Sequence, residues 1–198
     1  MSSLVNLGRI MPSTLVNDAL ALDIPLNSKE GFVRQVIGWR EFVHHVHELT
    51  DGFATDTAPV KARPAAGWEG EWPNAKITPN VLENSYQLPP TFWGEKSGML
   101  CLDTAITDVV ETGYAHHIPR LMVLANIGNL LGIHPRELTD WFWAMFTDAY
   151  EWVVEPNVLA MGTYAVGEVM TTKPYVSGTP YIKNCLLYTS PSPRDTLL

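Results

Sequence analysis

Tyr114-Ala-His-His-Ile-Pro-Arg-Leu-Met122 opens the stretch that decides how this chain is read. It runs on through Asp140-Trp141-Phe142-Trp143 and Asp148-Ala-Tyr-Glu-Trp152, and closes at Glu155-Pro-Asn-Val-Leu-Ala-Met161. Adjacent imidazoles, clustered indoles and a following Asp and Asn suit a site that holds a large aromatic cofactor. Such a site needs stacking surfaces, proton donors and a few fixed hydrogen bonds. On spacing alone, a helical core with spare polar residues is the simpler reading of the same letters.

The pattern around this stretch is helical. Leu102, Ile106, Val109, Val110 and Gly113 predict a helix from about Ser97 to Ala115. A second is expected from His117 to Leu131, stopped by Gly132. His134-Pro135 starts a third, with proline suited to the first turn. It carries Leu138, Trp141, Phe142 and Met145, and Pro156 marks its end or the start of a loop. Upstream, a short amphipathic helix is expected from Pro12 to about Leu22. Asn27 and Glu30 have capping-box spacing. Phe32, Val33, Val36, Ile37, Arg40, Val43, Val46 and Leu49 then recur at helical spacing up to Asp51-Gly52. Residues 52–90 are rich in proline and glycine and read as a long irregular segment. No alternating apolar run suggests a sheet, so the expected class is all-α.

Composition narrows the function. The chain has 198 residues, enough for one well-buried domain, and 46% are hydrophobic, which excludes a disordered chain. Its formal charge of −8 argues against a broad basic nucleic-acid surface. No apolar run reaches the ~18 residues of a membrane span, and residues 1–8 lack the blocks of a secretion signal. A soluble cytoplasmic protein is expected. Cys101 and Cys185 make no disulfide framework.

Individual residues carry candidate chemistry beside a plainer structural role. His116 and His117 are neighbours, about 100° apart on a helix, and do not suit one metal. One could donate a proton while the other orients it, or both could simply cap a helix start. Trp39 could stack on a ring and Arg40 could hold a phosphate, or the two could lie on an ordinary amphipathic helix. Trp93, Trp141, Trp143 and Trp152 could form an electron-hopping chain. Asp148 and Asn157 could bond a heterocycle's edge or cap helices. Ser3, Leu4, Asn6, Leu7 and Gly8 could form a phosphate-cradling loop, although an ordinary loop explains them as well. A lone Cys101 is a small buried residue unless three partner ligands join it.

Taken together, these blocks resemble the photolyase/cryptochrome family, and within it the bacterial iron–sulfur branch of (6-4) photolyase type. The blocks that carry the resemblance are Ser3-Leu4, Asn6-Leu7-Gly8, Glu30-Gly-Phe-Val-Arg-Gln-Val-Ile-Gly-Trp-Arg-Glu-Phe42, Tyr114 to Met122, Asp148 to Trp152, Glu155 to Met161 and Lys173-Pro-Tyr175, in the expected order over residues 1–184. The resemblance implies the helical FAD-binding part of a light-driven DNA lyase. In such an enzyme excited reduced flavin passes an electron to a flipped-out pyrimidine dimer, here a (6-4) photoproduct. It implies Ser3, Leu4, Asn6, Leu7, Gly8 and Arg40 at the FAD phosphates and cofactor. It puts Asp148 and Asn157 at the flavin ring, and Trp39 and Tyr175 on the lesion side. His117, supported by His116, becomes the proton donor. Trp141 and Trp93 become the photoreduction route. Cys101 becomes the first ligand of a 4Fe-4S cluster whose other ligands are absent. Damaged DNA is the implied partner and a bacterial cytoplasm the implied location. A photosensory cryptochrome with the same flavin site and a non-catalytic helical interaction domain are the alternatives.

Residues Cys185 to Asp195 read like the translation of a sequencing-library adapter. The expected division is therefore a truncated flavin-domain fragment over residues 1–184 and a non-native tail over residues 185–198. On that expectation the natural protein is longer, and the fragment alone is inactive.

Overall fold

The computed structural model describes residues 2–53, 79–178 and 180–182, and the expected tail at 185–198 lies outside them. Among the described residues the chain is all-α. The helices are α1 Ser2–Asn6, α2 Pro12–Ala21, α3 Leu26–Val33, α4 Arg40–Thr50, α5 Leu100–Thr112, α6 Asn126–Leu130, α7 Pro135–Met145 and α8 Glu151–Val154. A 3₁₀ turn covers Pro90–Trp93, and a single parallel bridge joins Tyr86 to Ile133.

Among the described residues three π-helical segments interrupt the α-helical pattern. Arg34–Trp39 joins α3 to α4, Pro119–Ala125 leads into α6, and Glu155–Gly162 continues α8. A π turn widens the helix by one residue per turn and re-aims the side chains it carries. Such turns occur mostly where function needs them.

The larger core forms where α5, α6, α7 and the Pro119–Ala125 segment meet. α5 buries Leu102, Ala105, Ile106 and Val109 at helical spacing, while Val110, expected on the same face, is 49% exposed. Leu138, Trp141 and Phe142 of α7 enter the same core. Gly128 of α6 lies against Leu138, where a Cβ would collide with the leucine side chain. Trp141 is 2% exposed, and its indole N–H donates to the Phe92 carbonyl at 2.9 Å, which satisfies its one polar atom.

Several expectations need correction. Asn27 and Glu30 form no capping box. α3 starts at Leu26 after Pro25 with no side-chain cap, and Glu30 pairs with Arg34 instead. The Ser3–Gly8 loop is largely the helix α1. The α7 helix ends at Met145, and Pro156 lies inside the π segment that continues α8. The apolar periodicity along α3 and α4, read as helical spacing, does not mark a core face. Val43 is buried, but Phe32, Ile37 and Leu49 are 40%, 48% and 85% exposed. Phe32, Val36, Trp39 and Val43 instead line a cavity.

α7 begins on a buried histidine. His134 caps it by accepting from the Arg136 N–H at 3.2 Å through Nδ1. Burial, with Arg136 adding to it, lowers the His134 pKa from 6.5 to about 4. The unfolded chain therefore binds this proton more readily. The stabilisation is complete above about pH 6.5 and is lost as pH falls toward 4, by about 3 kcal/mol. Asp140, raised to about 6 by burial, acts in the opposite sense. The difference between wild type and His134→Asn isolates the histidine, because asparagine retains a capping acceptor. In urea unfolding, the stability gap between the two is expected to move in favour of the variant on acidification. A gap independent of pH would contradict the assignment.

Candidate functional site

Two adjoining cavities lie where α1, the α3–α4 helix, α8 and the π segments converge. One, about 330 Å³, is lined mainly by Val5, Leu15, Phe32, Val36, Val43 and Trp152, with Arg40 and Asn6. The other, about 300 Å³, is lined by His117, Arg120, Leu121, Phe142, Phe146, Asp148, Val158 and Met161. Both are bordered by Ser2, Trp39, Val153 and Asn157. Apolar walls with a few convergent polar groups are what a small-molecule or cofactor site requires, and each volume falls in the usual range.

The boundary between the cavities is a hydrogen bond. Trp39 Nε1 donates to Asn157 Oδ1 at 3.0 Å, and Asn157 Nδ2 donates to the Val153 carbonyl at 2.8 Å. Each side-chain polar atom of Asn157 retains one further bonding position. Trp39 closes the π segment Arg34–Trp39 and Asn157 lies within Glu155–Gly162, so two re-aimed helical turns meet at this contact.

The second cavity has a charged floor. Arg120 binds Asp148 in a two-pronged pair, Nη1 to Oδ1 at 2.9 Å and Nη2 to Oδ2 at 3.0 Å. Arg120 Nε donates to the Ala115 carbonyl at 2.7 Å, and the guanidinium lies 4.3 Å from the centre of the Phe146 ring and 5.1 Å from that of Tyr114. Asp148 also accepts from the Ser2 hydroxyl, and its carbonyl accepts from Asn6 Nδ2 at 2.8 Å. Asn6 Oδ1 in turn accepts from Arg40 Nη1 at 2.8 Å, and Arg40 lies 4.6 Å from the centre of the Trp152 ring. One network therefore runs from Arg40 through Asn6 and Asp148 to Arg120.

The expected residues separate into groups. Trp39, Arg40, Asn6, His117, Asp148 and Asn157 border the cavities. Ser3, Leu4, Leu7 and Gly8 line neither, and Leu4 and Leu7 are exposed. His116 is exposed with its ring edge-on to Tyr114. Tyr175 packs on the Leu121, Met122 and Met161 cluster, which reaches the second cavity through Leu121 and Met161. Trp141 touches Phe142 and Phe146, both on the cavity wall, while Trp93 lies 62% exposed beyond Phe92. Cys101 is a half-buried free thiol on α5. Among the described residues no group of three His, Cys, Asp or Glu side chains is arranged to hold a metal.

Two participants were not read from the sequence. Arg120 sits inside the quoted block but was given no role, because its partner Asp148 is 28 positions away. Ser2, rather than Ser3, faces Asp148. The available signal was an arginine three positions after His117, with an aromatic Tyr114 six positions before it.

His117 stands at the mouth of the cavity with solvent access. The protein packed around its ring, and then the Arg120 charge, hold its pKa below the ordinary imidazole value. Without a ligand its neutral form is favoured, and a nearby anion would reverse that preference.

Comparison with known proteins adds a second, independent line to this geometry. The chain is similar to a (6-4) photolyase. That protein, from Agrobacterium fabrum, is 37% identical over 158 residues, or 80% of this chain, and the chain spans 27% of its length. This supports the photolyase family. An uncharacterized protein of Acanthamoeba polyphaga mimivirus is 38% identical over 61 residues, covering 31% of this chain and 50% of that protein. No protein-family profile matches the chain. Among the described residues no helix is long and apolar enough to cross a membrane.

Proposed function

We propose that this chain forms part of the flavin-binding helical domain of a light-driven DNA photolyase acting on (6-4) photoproducts. The observation that carries the reading is the junction at Trp39 and Asn157. There two cavities adjoin, and His117 and the Arg120–Asp148 pair face one of them. The similarity to a (6-4) photolyase points the same way.

The donor set fits FAD. Asn157 and the Arg120–Asp148 pair would meet the polar edge of the flavin ring, with Phe142, Phe146 and Val158 against its apolar face. Arg40 and Asn6 would face the phosphates and Ser2 would hold Asp148 in place. Ser3, Leu4, Leu7 and Gly8 would act only through the turn that places α1. Bound FAD would supply the light-driven electron. Trp141, in contact with the cavity wall, and Trp93 at the surface are suited to refill it from outside.

His117 is the group of this chain suited to give a proton to the lesion. It borders the cavity, reaches solvent and can be recharged. A flipped-out nucleotide brings its phosphates with it, and that negative charge raises the histidine pKa against the effect of Arg120. His116 would hold the neighbouring backbone and Tyr175 the lesion side. For a 4Fe-4S cluster, Cys101 would be the one cysteine available among the described residues, and no step is assigned to it. The −8 charge would place the DNA-binding basic surface elsewhere in a longer protein.

The test is illumination of a full-length protein carrying this chain, loaded with FAD and reductant, with a duplex carrying a (6-4) photoproduct. Light-dependent return of intact pyrimidines is expected. Bound flavin without repair would shift the reading to a photosensory cryptochrome, and no flavin binding would leave a helical interaction domain.

A further inference from the structure

Among the described residues, Glu155 is the most enclosed acid that the proposed chemistry does not use. It is 5% exposed and lies between three helical elements. Its Oε2 bonds His47 Nδ1 of α4 at 3.0 Å, and its Oε1 accepts from Arg136 Nη1 of α7 at 3.3 Å. It begins the π segment that carries Asn157. The left-handed turn ending α4 closes over it, since Gly52 has φ +63° and any Cβ there would collide with the Glu155 carboxylate. Phe53, 1% exposed, then packs on Leu159 and Ala160 of the same segment.

The α3–α4 helix is thus fastened to the Glu155–Gly162 segment at two places. One is His47 to Glu155; the other is Trp39 to Asn157. Eight residues separate Trp39 from His47, or roughly 12 Å along a helix axis. A rigid helix pinned at one end has its rotation fixed at the other, so the angle at which the Trp39 indole meets Asn157 depends on the distant pair.

We propose that Glu155 is a positioning residue, whose bonds to His47 and Arg136 set where Trp39 and Asn157 meet between the two cavities. Glu151, Asp140 and Glu137 lie in the same charge environment, with Arg136 opposing their mutual repulsion. Protonating Glu155 would weaken the link to both bases. The functional consequence rests on the flavin reading above, while the mechanical link does not.

The test reads the indole N–H signals of Trp39 and Trp141 by nitrogen-15 NMR of the full chain, assigned with single Trp→Phe variants. In Glu155→Gln the Trp39 signal is expected to shift and its solvent exchange to accelerate roughly tenfold, the loss of one charged hydrogen bond. The Trp141 indole, bonded to the Phe92 carbonyl in the separate core, should stay unchanged. His47→Ala cuts the same link from the less buried partner and should reproduce the effect even where Glu155→Gln fails to fold. An unmoved Trp39 signal, or equal acceleration at Trp141, would overturn the proposal. Failure of the wild-type protein to bind FAD would remove the flavin reading and leave this result standing.

Discussion

Arg120→Ala is expected to destabilise the protein by about 3 kcal/mol and to shift its Tm down by on the order of 10 °C. The side chains of Arg120 and Asp148 are 23% and 7% exposed, so the mutation strands a carboxylate with little access to water. It also removes the bond to the Ala115 carbonyl that holds the segment leading into His116 and His117. The double variant Arg120→Ala/Asp148→Asn should recover part of the loss. It leaves no uncompensated charge, and the amide oxygen that replaces the carboxylate can still accept from Ser2. Thermal and urea unfolding measure both. A loss below about 1 kcal/mol, typical of a surface ion pair, would show that the pair is not the structural floor of the cavity.

On the proposed function, His117→Ala in a full-length protein carrying this chain is expected to lower lesion repair roughly 100- to 10,000-fold while FAD remains bound, the range for loss of a positioned proton donor. On the proposed reading the charged ring is the donor, so the wild-type rate should fall as pH rises through the imidazole range. The residual rate of the variant should lose that dependence. Repair kinetics under saturating light, measured against pH with flavin content checked by absorbance, decide this. An unchanged rate in His117→Ala would remove the residue from the chemistry. Equal loss in His116→Ala would mean that the pair acts as one unit.

Much of the helical architecture was legible. The α5 face of Leu102, Ile106 and Val109, the proline-started α7, and the Asp51-Gly52 stop on α4 follow from local rules that tertiary contacts did not override. What periodicity cannot state is what a face touches. Phe32, Val36, Trp39 and Val43 repeat as core residues do, yet they border a cavity. The π segments escaped because a one-residue widening leaves no fixed residue signature. Trp39, Arg40, His117, Asp148 and Asn157 were singled out by residue type, and the fold brings them to adjoining cavities. Arg120 and Ser2 were not, because their importance comes from a partner distant in sequence. His47 and Glu155 were missed for the same reason: 108 positions separate them.

The most direct test of the central claim is the visible absorption spectrum of the protein, purified with added FAD, before and after blue light with a reductant, in wild type and in Asn157→Ala. Saturable flavin bands that bleach on illumination, and that weaken or change their reduction behaviour in the variant, are the predicted result. A folded wild-type protein that stays colourless at any FAD concentration, or a variant spectrum identical to wild type in every phase, would contradict the assignment of these cavities to the flavin.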